Sequence, residues 1–95
     1  MKESQSVTNS LLIEVDFLSN RLKNIKKSFK ITNNKALKER LFLENKNLFK
    51  RVNEIHKIAE LLNKSNEKIN FSNLLLEITK RTLSENKFES NLFFL

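Results

Sequence analysis

The chain has 95 residues, carries 18 Lys and Arg against 11 Asp and Glu for a formal net charge of +7, and contains no Gly, Pro or Cys. That length allows one domain with a modest core, of a size that often gains stability by oligomerising. The missing Cys exclude a disulfide framework, a thiolate metal site and thiol chemistry. The missing Gly and Pro argue against compact β or α/β folds, whose turns need them.

The expected fold is therefore all-α: an elongated antiparallel helical hairpin or three-helix bundle with coiled-coil-like heptad seams. No apolar run exceeds the four residues 92–95, which excludes a transmembrane helix. The polar start shows no secretory signal, so the cytoplasm is the expected location. Lys, Asn, Leu, Ile, Ser and Phe dominate, and part of the lysine excess reads as codon bias in an AT-rich genome.

In chain order, residues 1–9 are polar and are expected to be flexible, with Asn9 or Ser10 capping a first helix over about 10–31. Leu11, Val15, Leu18, Leu22, Ile25 and Phe29 recur at alternating steps of four and three, which is an a/d seam nearly three heptads long. Ile13 and Phe17 lie off that seam, four residues apart, and widen the apolar arc. Thr32, Asn33 and Asn34 are poor helix formers suited to a tight turn.

A second helix over about 34–64 carries the seam Leu41, Asn45, Leu48, Val52, Ile55, Ala59 and Leu62. Asn45 falls at an a-type position, where a polar residue costs stability but fixes register and partner number. Phe42 and Phe49 occupy neighbouring e positions, giving a face wide enough for a bundle. Residues 63–70 read as a loop. Ser72 is a candidate cap for a third helix over about 72–86, where Leu74, Leu75, Leu76, Ile78, Thr82 and Leu83 spread over more than half the circumference. The expected single helical domain thus spans 10–86, followed by an apolar tail over 87–95 with Phe88 and the run at 92–95. That tail is expected to plug the bundle end or to serve as a docking peptide.

No catalytic constellation emerges. The carboxylates are scattered, Glu14 and Asp16 point apart on a helix, and the inward positions are aliphatic or Phe, so the protein is expected not to be an enzyme. His56 has no second ligand three or four residues away, so no metal and no cofactor is expected; it reads as an exposed or seam-edge histidine.

Two binding surfaces remain. Each helix has an apolar arc wider than one neighbour covers. A self-associating or scaffold function would bury Leu41, Phe42, Asn45, Leu48, Phe49, Val52 and Ile55 against a copy or another helical protein. The alternative is weak, charge-driven nucleic-acid binding through Arg21, Lys23, Lys26, Lys27, Lys30, Lys35, Lys38 and Arg40. Residues 1–50 hold eleven basic and five acidic groups against seven and six in residues 51–95, so the excess gathers at the first turn of a hairpin. No aromatic platform or helix-turn-helix glycine accompanies it, which favours nonspecific over sequence-specific contact. No small-molecule substrate is expected.

Overall fold

A computed structural model describes residues 2–64 and 72–86, which form three helices: α1 Lys2–Ile31, α2 Lys35–Lys64 and α3 Ser72–Glu85. The molecule measures 50 × 19 × 15 Å, and its long axis matches a straight 30-residue helix of about 45 Å.

Cross-helix pairs fix the directions. Arg21 on α1 bonds Glu44 on α2, and seven residues earlier Glu14 bonds Arg51, seven residues later on α2, so the two helices are antiparallel. His56 and Thr79, then Asn63 and Ser72, give the same relation between α2 and α3. Lys26 reaching the Glu85 carbonyl puts the end of α3 beside the last third of α1, and these two helices run parallel. This is an antiparallel three-helix bundle.

α1 begins at Lys2, eight residues before the expected start, so the expectation that residues 1–9 lie outside the helix is corrected for residues 2–9. Thr8 is wholly buried. It stands three residues before Leu11 and prolongs the inner seam by one turn, with a residue whose polarity conceals its place in the spacing. Asn9 and Ser10, the expected caps, are interior positions of this helix on its exposed side.

The turn at residues 32–34 forms as expected. The Thr32 amide donates to the Ser28 carbonyl at 3.0 Å and closes α1. Asn34 opens α2 by accepting the Leu37 amide on Oδ1 at 3.1 Å, the bond an N-cap makes to one of the orphan amides of a first turn. The Asn34 amide in turn donates to the Thr32 hydroxyl at 3.2 Å. Ser72 spends its hydroxyl on Asn63 Oδ1, 3.5 Å away, rather than on a cap of its own helix.

All six α1 seam residues are buried. Leu11, Val15, Leu18 and Leu22 join Val52, Ile55, Ala59 and Leu75 in a core shared by all three helices. Ile25, Phe29 and Leu41 form a second cluster built by α1 and α2, and Leu48 packs on both. Each fully buried Val, Leu or Ile is worth about 1.5–3 kcal/mol, so the inner seams dominate the stability. α3 contributes less grease than its leucines suggest. Only Leu75 is fully covered, Leu76, Ile78 and Leu83 pack half-buried on the core, Leu74 remains exposed, and the other buried positions are Ser72, Thr79 and Thr82, with Asn86 just past the helix end. These polar groups find partners locally: the Thr79 hydroxyl lies 2.9 Å from the Leu75 and Leu76 carbonyls, and Asn86 Nδ2 donates to the Thr82 carbonyl at 3.0 Å. The expected tail over 87–95, Phe71 and most of the expected loop lie outside the described residues.

Candidate interaction surfaces

The seven residues expected to meet a partner belong to the interior of the chain's own bundle. Leu41, Asn45, Val52 and Ile55 are buried, and Leu48, Phe42 and Phe49 are half-buried against the same cores. The heptad spacing that singled them out is satisfied by α1 and α3, so in this fold they are not a free face. Among the described residues, Asn45 Nδ2 is a buried side-chain polar atom without a hydrogen-bond partner. Its amide sits at the junction of the two cores and costs stability there.

The basic residues are divided by the fold. Arg21 grips Glu44 with two bonds, Nε to Oε2 at 2.6 Å and Nη2 to Oε1 at 2.8 Å, and that bond raises the guanidinium's affinity for its proton while lowering the Glu44 carboxyl below its ordinary range. Lys38 places its ammonium 5.3 Å from the centre of the Phe29 ring, a cation–π contact. Both are partly committed inside the molecule. Lys35 and Arg40 are exposed at the start of α2. Lys23, Lys26, Lys27 and Lys30 converge on one open groove beside the end of α3, with Glu85 and Asn86 as its other wall. Lys26 Nζ donates to the Glu85 carbonyl at 3.1 Å, where the helix dipole favours a cation. Arg81 on α3 lines an adjoining groove with Lys23. No local signal links Arg81 to the α1 cluster 58 positions away; only the parallel packing of α1 and α3 does.

His56 takes the seam-edge place rather than the exposed one. It is half-buried, with Nδ1 2.7 Å from Thr79 Oγ1 and Nε2 3.5 Å from Glu60 Oε1. It ties α2 to α3. Among the described residues, no group of three His, Cys, Asp or Glu side chains is placed to hold a metal ion, and no helix is long and apolar enough to cross a membrane.

A feature that inward spacing does not reveal lies on the back of α1. Ser6, Ser10, Ile13, Phe17, Asn20, Asn24, Lys27 and Ile31 again alternate by four and three, and all eight are exposed. Ile13 is 72%, Phe17 68% and Ile31 81% exposed. Only Lys27 among them is charged. The equivalent outer stripe of α2 is Glu39, Leu43, Lys46, Lys50, Asn53, Lys57, Glu60 and Lys64, also exposed throughout, and six of its eight members are charged. A solvated helix back normally looks like the latter. The off-seam pair Ile13 and Phe17 is the signal that leads to this stripe; extending their spacing in both directions finds the rest.

The chain matches no family model, no curated protein and no solved structure.

Proposed function

We propose that this protein is a non-enzymatic helical interaction module that docks a partner helix on the outer face of α1. One observation carries the reading: a full-length exposed heptad stripe with a single charge, on a chain whose residues are 31% charged. Covering such a face desolvates hydroxyls, amides and one charge, a far smaller penalty than covering the six charges of the α2 stripe, and burying its three large apolar side chains is favourable. The inner seams hold the bundle together and leave this second seam available.

The test replaces Phe17, and in a separate variant Leu43, by a photo-crosslinking phenylalanine analogue in the intact chain. Covalent adducts to a helical protein or to the chain itself are expected from position 17 and not from position 43. Equal adducts at both positions, or none at 17, overturn the reading.

A second reading is favoured by the convergence of Lys23, Lys26, Lys27 and Lys30 on one groove. There a nucleic-acid backbone would be held by charge alone. Reversing Lys26, Lys27 and Lys30 to Glu is expected to eliminate retention of DNA or RNA at low salt. Retention that survives the reversal, or that ignores salt, overturns it.

A further inference from the structure

Resting on the docking reading, we infer that the partner covering the outer face of α1 is a second copy of this chain, laid antiparallel about a two-fold axis that passes between Leu18 and Ser19.

Charge complementarity along the stripe points to this occupant. Glu14 flanks the stripe on the α2 side, as does Arg21; both bond α2 residues, Arg51 and Glu44. Asp16 and Lys23 flank it on the other side, where both line the groove against α3. The acids precede Leu18 by four and two residues, and the bases follow Ser19 by two and four. The pattern is therefore palindromic in sign. Turning a second α1 about that axis lays Asp16 beside the Lys23 of the other copy and Glu14 beside its Arg21, on both flanks at once. A surface that complements itself in this way is what an isologous two-fold contact requires.

The same axis brings the two Phe17 rings together across the centre, one layer apart, where each is most protected from water. It sets Ile13 against Asn24 and Ser10 against Lys27, so the one charge in the stripe meets a hydroxyl near the edge. A parallel pair would align Lys23, Lys26, Lys27 and Lys30 of one copy with the same four of the other, and like charges at that spacing repel. Antiparallel pairing carries each basic end to the serine-bearing half of its partner, where Glu14 and Asp16 supply negative charge, and sets the helix dipoles in opposition.

Only Ile13, Phe17 and Ile31 supply large apolar area from each copy, so the association is weak. Sedimentation equilibrium of the whole chain is expected to show the 11.2 kDa monomer giving way to twice that mass as concentration rises from about 10 µM to about 1 mM. Phe17→Lys is expected to stay monomeric throughout with unchanged helical dichroism, and Leu43→Lys to associate as the parent does. The cysteine-free chain allows a test of direction. Ser10→Cys and Lys27→Cys chains mixed and oxidised are expected to form the mixed disulfide, with neither joining to itself. Self-joined dimers of each variant without the mixed species indicate parallel pairing and overturn the inference, as does a monomer that persists to about 1 mM or association that Phe17→Lys leaves intact. If the chain stays monomeric while position 17 still crosslinks to another protein, the second copy is the wrong occupant and the docking reading stands.

Discussion

α1 and α2 are equal in length, each 30 residues, and each presents an inner seam to the same core. Their backs differ. The α2 back is a solvated surface in which Leu43 and Leu61 are isolated among Lys and Glu, whereas the α1 back repeats the seam spacing with hydroxyls, amides and three large apolar groups. The demands of the monomer cannot account for the difference, because neither back touches the core. Spacing alone therefore does not distinguish a seam that folds the chain from one that faces outward. What distinguishes them is whether the rest of the chain already fills the space in front.

The contrast between inward and outward positions can be broken most sharply on α2. Leu48→Asp places a carboxylate where the two cores meet, and loss of the helical dichroism signal is expected, because burying an unpaired charge exceeds the marginal stability of a chain this size. Ile55→Ala removes a fully buried side chain and is expected to cost about 2–5 kcal/mol in urea unfolding, while Leu43→Ala on the back of the same helix changes stability by less than about 0.5 kcal/mol. An equal loss from both would erase the distinction between the two faces. Asn45→Leu is expected to stabilise by about 1–3 kcal/mol, since it removes a buried amide group without a partner; a destabilised variant would mean that the amide fixes the packing of the two cores.

Grafting the α1 character onto α2 sharpens the comparison from the other side. Lys46→Ile with Lys50→Phe removes two charges from the α2 back and is expected to add an association face, read as species larger than a dimer in sedimentation. Failure to associate further would show that uncharged spacing is insufficient and that the flanking charges decide.

The smallest effect concerns the ion pairs beside the stripe. The Glu14 and Glu44 carboxyls are held below their ordinary value of 4.5 by bonds from Arg51 and Arg21. A lowered folded value means that their contribution is complete above pH 4.5 and is lost as the pH falls through the folded values. These carboxylates are more than a third exposed, so solvent screens the effect. A modest fall in Tm below pH 4.5 is expected, reduced in Arg21→Gln and Arg51→Gln; an identical acid profile in the double variant would show that the pairs contribute nothing.

Much of the fold was legible from the residues. The six α1 seam positions, the Thr32 turn and the bounds of α2 and α3 follow from steps of three and four and from weak helix formers. The start of α1 was not legible because Thr8 is polar yet inward, and of the buried threonines of α3 the spacing marked Thr82 but not Thr79, which three adjacent leucines overshadow. The outward stripe proposed as an interaction surface was legible only as the off-seam pair Ile13 and Phe17. The chosen α2 residues had the right spacing for an interface and were consumed by the core.

Period and composition by themselves determined that this chain makes long amphipathic rods joined by an asparagine turn, because every residue's preference and the absence of Gly and Pro act locally. Tertiary packing decided which apolar stripe became interior, which lysines met Arg81 and Glu85, and which heptad was left facing water. Those outcomes depend on which surfaces pack against each other in three dimensions, and side-chain spacing along one helix does not say what stands opposite it.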